Sequence, residues 1–228
     1  MARQLIPTNT KREDCVQTPI QLAVDIMNHF KPSGKVLEPC RGDGNFIEAY
    51  NTYNLIAQIT GGEGIQWTWC EILDGKDFFE FNEKVDWIIT NPPYSKMRKF
   101  LQHSMDIADN VVFLTTINHL WLKARLRDIQ EKSFGIKEII VFPTPKTFPQ
   151  AGFQIGCFYL QKDYVGDIKY GQMTVSDVCP TESLIGIKRK PCEVSQIPNG
   201  TSLNSNMKNI ITRNILQGGL ASEFIFIE

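Results

Sequence analysis

At 228 residues, with 42% hydrophobic and 21% charged side chains, the chain suits one medium domain with its own core, or one domain with a small appendage. A formal net charge of −1 speaks against a uniformly basic nucleic-acid binder and leaves any phosphate contact to local clusters of cations. No stretch approaches the roughly 20 apolar residues of a membrane span, and Met1 to Asp14 carry charges with no apolar run behind them, unlike a signal peptide. Six cysteines (Cys15, Cys40, Cys70, Cys157, Cys179 and Cys192) form no CxxC pair and meet no histidine cluster. That pattern points to reduced thiols and a cytoplasmic location, with no metal expected.

The first dozen residues read as a polar arm. From Thr18-Pro19 a helix begins, with Ile20, Leu22, Ala23, Ile26 and Met27 at helical spacing and Pro19 suited to the first turn. Lys31-Pro32-Ser33-Gly34 breaks it. Lys35 to Glu38 reads as a short buried strand running into Pro39-Cys40-Arg41-Gly42-Asp43-Gly44, with a helix from about Asn45. Beyond a loop at 61–64, Ile65 to Ile72 alternates as a second strand. Val85 to Thr90 is a third, ending on Asn91-Pro92-Pro93-Tyr94. Lys96 to Ala108 is helical, Val111 to Thr115 a strand, and Leu120 to Glu131 helical again. Ile136 to Phe142 and Phe153 to Gln161 follow with no helix between them, so one of the two is expected to run antiparallel. Strands alternating with helices predict an α/β domain with a mainly parallel sheet. Residues 165–228 are rich in Ser, Asn, Gly, Thr and Ile, with a short strand such as Glu223 to Ile227, and read as a small annex.

In such a sheet ligands bind beyond the carboxyl ends of the strands, and two segments sit there. Gly42 and Gly44 let the chain turn tightly and let a ligand approach bare backbone; a plain strand-to-helix turn would use the same residues. Glu38 and Glu71 close neighbouring strands, and a carboxylate in that position can accept both hydroxyls of a ribose. In Asn91-Pro92-Pro93-Tyr94 the Asn91 side-chain oxygen and the Pro92 carbonyl are two acceptors. The proline holds them rigid through its locked φ and its bias on the preceding residue. Tyr94 offers a ring on which a base can stack.

Together these segments resemble the class I adenine-N6 DNA methyltransferases of the Asn-Pro-Pro-Tyr type, in the arrangement with cofactor motifs before the catalytic motif. The likeness covers roughly residues 14–162. Gln17-Thr18-Pro19 is similar to the segment that contacts the methionine part of the cofactor, although Cys15 and Val16 stand where the family has an aromatic residue. Glu38 to Gly44 resembles the acid-Pro-x-x-Gly-x-Gly loop, Glu71 the ribose-binding acid, and Asp77-Phe78 the motif at the cofactor's adenine ring.

The resemblance implies a Rossmann-like class I methyltransferase fold, with a mainly parallel seven-stranded sheet and one late antiparallel strand. Residues 1–164 would form the catalytic domain and 165–228 the annex, a candidate for target recognition. The implied cofactor is S-adenosylmethionine, leaving as S-adenosylhomocysteine, without a metal. The implied reaction methylates the N6 amine of adenine in DNA, flipped into the pocket of Asn91, Pro92, Pro93 and Tyr94. Lys96, Arg98, Lys99 and Lys146 are the candidate phosphate contacts, and the segment Phe142 to Phe148 is a candidate cover for the pocket. Lys123, Arg125, Arg127 and Lys188-Arg189-Lys190 also suit ordinary solvated faces. His119 is expected to be incidental and Trp121 to lie in the core.

Alternatives remain at this point. They are adenine methylation in RNA, glutamine side-chain methylation, and a non-catalytic nucleic-acid-binding subunit. A monomer, a homodimer or a complex with a partner subunit would each fit, nucleoid-associated if the source is bacterial or a phage, and no membrane contact is expected.

Overall fold

Pro19 sits just ahead of the first helix with φ −56° and ψ 139°, one position earlier than a first-turn proline, and α1 (Ile20–Phe30) turns Leu22, Ala23, Ile26 and Met27 onto one buried face. The computed structural model describes residues 16–149 and 152–173. After α1 come β1 (Lys35–Glu38), α2 (Asn45–Thr60), β2 (Gln66–Trp69), β3 (Val85–Thr90), α3 (Met97–Ile107), β4 (Ala108–Thr116), α4 (Lys123–Glu131), β5 (Phe134–Val141), β6 (Ile155–Lys162) and β7 (Lys169–Gln172).

These strands form one sheet in the order β2-β1-β3-β4-β6-β5-β7. β2, β1, β3 and β4 run parallel. β6 is inserted antiparallel between β4 and β5, as the missing crossover helix requires. β7 lies beside β5 in parallel. It falls beyond residue 164, so the sheet draws its last member from the stretch read as the start of the annex.

Alternation along each strand divides the core. Val36, Ile89, Val112 and Ile140 pack beneath Ile26 and Met27 of α1 and Phe46 and Tyr50 of α2. Leu37, Ile88, Val111 and Phe113 face Met97 and Leu101 of α3 and Ile129 of α4. Strands covered on both faces read as near-continuous apolar runs. The buried Tyr50 hydroxyl donates to the Ile89 carbonyl (2.9 Å), fixing α2 to the strand that leads into the tetrapeptide.

Two of the boundaries that differ from expectation do so for clear local reasons. β2 stops at Trp69 because Glu71 bends the chain into a 3-10 turn over Ile72–Asp74, its own side chain accepting the Leu73 N–H. α4 starts at Lys123 because Ile117–His119 forms a separate 3-10 turn. Trp121 falls in that junction and is 48% exposed, which corrects the core position expected for it. Among the described residues no helix is long and apolar enough to cross a membrane. Residues 1–15 and 174–228 lie outside the described residues, and with them Cys15, Cys179, Cys192, Lys188-Arg189-Lys190 and the strand expected at Glu223 to Ile227.

Candidate functional site

The glycine turn leaves β1 at the carboxyl edge of the sheet. Gly42 has φ +53° and Gly44 φ +92°, in the left-handed region that side chains disfavour. The Gly42 N–H donates to Glu71 Oε2 (2.9 Å), joining the turn to the end of β2. A Cβ on Gly42 would lie 2.6 Å from Gln17 Oε1, whereas nothing lies within 4 Å of one built on Gly44. The open approach to backbone is therefore over Gly44.

Glu38 is fully buried. Its Oε1 accepts the Thr90 hydroxyl (2.6 Å) and the Cys40 N–H (3.3 Å), but Oε2 is buried with no hydrogen-bond partner. Burial pushes the Glu38 carboxyl up to about 8, the Thr90 and Cys40 hydrogen bonds oppose this, and the nearby Glu71 charge adds to it. Burial and the same two carboxylates raise the Cys40 thiol well above its usual range, so it is no nucleophile at neutral pH. An unpaired buried oxygen costs roughly 1–3 kcal/mol, and a hydrogen-bonding group on a bound ligand would relieve it.

Glu71 lies one strand over, with Oε1 accepting from Leu73 N–H (3.2 Å). Each of its oxygens keeps a further lone pair for hydroxyl donors. Ile72 and Leu73, beside it, are large and exposed and offer an apolar face. Neither stood out in the sequence, although an apolar pair following the acid at a strand end was a readable sign. Asp77 caps the next 3-10 turn, accepting the Phe79 N–H (2.9 Å). The Phe78 ring is buried and stacked on Phe100 (centroids 5.0 Å apart), so Phe78 can offer a ligand its backbone and not its ring. These groups fit a ligand with a ribose, a polar cationic end and a flat ring.

The segment Val16 to Thr18 is tied to both halves of the site. The Asn91 Nδ2 donates to the Val16 carbonyl (2.9 Å), the Asp43 N–H to Gln17 Oε1 (3.2 Å), and the Asn45 Nδ2 to the Thr18 carbonyl (2.7 Å). Thr18 is buried and Pro19 leads directly into α1. The structure thus brings Thr18, Pro19, Glu38, Gly42, Gly44, Glu71 and Asn91 to one edge.

Pro92 is buried behind Asn91, and the Pro93 carbonyl accepts the Lys96 N–H (3.0 Å) in a short turn over Tyr94–Lys96. Tyr94 is half-buried, and burial pushes its phenol up to about 12. It is neutral at physiological pH.

Arg98 departs from its expected place among free phosphate contacts: its guanidinium forks onto buried Asp128 (2.6 and 2.8 Å). Lys96, Lys99 and Lys146 are exposed. Lys123 is exposed too, Arg127 sits 3.7 Å from Glu131, and Arg125 donates to the His119 carbonyl (2.8 Å). Phe142 and Phe148 are buried under α1 and anchor the segment expected to cover the pocket. At the β2 end, Arg41 pairs with Asp74 (2.7 Å), and Arg41 and Lys76 both lie over the Trp69 ring (4.3 and 3.6 Å). That cluster was not read from the sequence.

The strand order, the single reversed strand and the glycine turn at the edge define a Rossmann-like class I methyltransferase fold. Among solved structures, the chain is similar to a protein from Listeria monocytogenes assigned as a class I S-adenosylmethionine-dependent methyltransferase. The TM-score is 0.55 at 13% identity, covering 72% of this chain and 68% of that one. It is also similar to a chain assigned as the modification subunit of a type I restriction enzyme from Vibrio vulnificus YJ016 (TM-score 0.50, 17% identity, 74% and 49% covered). A third is a chain of a type I restriction-modification system (TM-score 0.50, 14% identity, 89% and 50% covered). The chain thus spans about two thirds of the first and half of the other two. No family model matches it, and no curated protein matches its sequence.

Proposed function

We propose that the chain transfers a methyl group from S-adenosylmethionine to the N6 amine of adenine in DNA. The observation that carries this reading is the Asn91 amide. Its nitrogen is engaged by the Val16 carbonyl, which leaves Oδ1 as the amide atom able to receive an amine proton. The Pro92 carbonyl is the second acceptor. Two acceptors on the N–H bonds of a conjugated amine favour a pyramidal nitrogen and turn its lone pair out of the ring.

S-adenosylmethionine, when bound, supplies a methyl group already activated on a sulfonium, so the protein's task is alignment. In this proposal Glu38 and Glu71 hold the polar parts of the cofactor, Gly44 admits it to the backbone, and Ile72 lies against its ring. Thr18, Pro19, Gly42, Asp77 and Phe78 shape the rest of its cleft. Tyr94 stacks on the extruded base, and Lys96, Lys99 and Lys146 meet phosphate. Residues 165–228 or a partner subunit supply target recognition, the enzyme acting in the cytoplasm. The likeness in fold to chains of type I restriction-modification systems supports the choice of DNA and of a partner.

The test is transfer of labelled methyl to duplex DNA, single-stranded DNA, RNA and protein in parallel, with the product nucleoside identified by mass spectrometry. N6-methyladenine in DNA is the expected product. Label in RNA or protein alone overturns the substrate, and absence of label from all four, with cofactor bound, overturns the activity.

A further inference from the structure

Tyr94 is held at two points that its own segment does not provide. Its ring meets the His119 imidazole nearly at right angles (82°), with centroids 5.2 Å apart. Its hydroxyl lies beside Thr115, a fully buried residue on β4 whose side chain counters the rise that burial imposes on the phenol. Thr115 Oγ1 in turn lies 3.3 Å from His119 Nδ1, closing a three-membered contact of phenol, hydroxyl and imidazole. The backbone of His119 is fixed as well, since Arg125 at the start of α4 donates to its carbonyl (2.8 Å).

A tyrosine side chain has two soft torsions. The Thr115 contact sets where the far end of the ring lies, and the imidazole wall sets the plane in which it turns. Stacking is sensitive to that plane, because offset and tilt decide how much of the two ring faces overlap. A half-buried tyrosine without these contacts would sample several ring orientations.

We propose that His119 is a positioning residue for Tyr94, fixing the ring plane directly and through Thr115. The inference rests on the reading of Tyr94 as the residue that stacks on the substrate base. The groups facing His119 are Tyr94 and Thr115 from the strand ends and Arg125 from α4, with Arg98 and Asp128 behind Arg125. Burial and the Arg125 charge hold the imidazole below the usual histidine range, so the wall is uncharged at neutral pH.

The test is a double-mutant cycle on methyl transfer, using His119→Ala, Tyr94→Ala and the pair, with cofactor affinity as the check on folding. His119→Ala is expected to lower kcat/KM about tenfold, the scale of one lost base stack, and to have little further effect once Tyr94 is alanine. His119→Phe, which keeps a ring as the wall, is expected to recover part of the loss. An equal loss in both backgrounds, or none in the first, overturns the proposal.

A second arm needs no activity. With carbon-13-labelled tyrosine, the Tyr94 ring resonances are expected to move in His119→Ala and Thr115→Val while those of the other tyrosines hold. Unmoved Tyr94 resonances overturn the positioning role. Moved resonances in a protein that transfers no methyl uphold the contact and overturn only the activity.

Discussion

The Asn91 side chain donates to the carbonyl of Val16, a residue 75 positions upstream, across 2.9 Å. One hydrogen bond therefore orients the candidate catalytic amide and pins the strand of chain that also braces the glycine turn. Asn91→Ala removes the acceptor and this tether together. Turnover is expected to fall at least about a hundredfold, the scale of a misaligned reacting group, while cofactor affinity measured by calorimetry falls far less. Near-normal turnover would remove Asn91 from the mechanism.

Glu38 gives a pH-dependent stability of defined sign. Its carboxyl is raised from 4.5 to about 8 in the folded protein, so the folded state holds a proton that the unfolded state gives up. Its contribution is thus most favourable below the ordinary glutamate range, declines as pH rises toward 8, and is level above that. Glu38→Gln lacks this decline. Denaturant unfolding between pH 5 and 8 is expected to show the variant gaining on the parent by roughly 2–4 kcal/mol. A gap that stays constant with pH would contradict the raised value.

Arg98 and Asp128 make a different prediction from the phosphate contact read in the sequence. The guanidinium beside Asp128 holds its carboxyl below the usual aspartate range. The stabilisation is therefore present at neutral pH and lost as pH falls through the lowered value. Arg98→Ala leaves a buried carboxylate without its main partner. Its melting temperature is expected to drop by several degrees at pH 7 and by progressively less as the pH is taken below the ordinary aspartate range, with nucleic-acid affinity of the folded protein nearly unchanged. A normal melting temperature combined with weaker nucleic-acid binding would restore Arg98 to the interface.

Gly42→Ala tests the turn. The new methyl would press on Gln17 Oε1, and φ of +53° strains any residue with a side chain. A loss of about 1–2 kcal/mol is expected from the backbone alone. Adding Gln17→Ala is expected to relieve the clash and leave the strain. Full recovery in the double variant would mean that contact, not backbone, made glycine necessary.

What the sequence made legible is what is local. The strand into Gly42-Asp43-Gly44 and the strand into Asn91-Pro92-Pro93-Tyr94 are continuous runs whose punctuation is carried by their own residues. The antiparallel β6 was readable because no helix separates it from β5. Other features depended on partners distant in the chain. Arg98 reads as one of a basic cluster until Asp128, 30 positions on, claims it. Trp121 reads as core by residue type, but the 3-10 turn before it carries it outward. The parallel partner of β7 lies more than 25 residues upstream, and the four residues of β7 carry no apolar alternation that would announce them. His119 looked incidental because its contact with the Tyr94 ring is one that no spacing rule encodes.

The tie between Val16 and Asn91 also bears on how the chain can be handled. Val16 lies against Asn91 at the carboxyl edge of the sheet. On the proposed function, a reporter attached at residue 16 would stand next to the amide that receives the substrate amine. A fluorophore placed there would report occupancy of the cleft, and a bulky fusion there would act as a steric competitor.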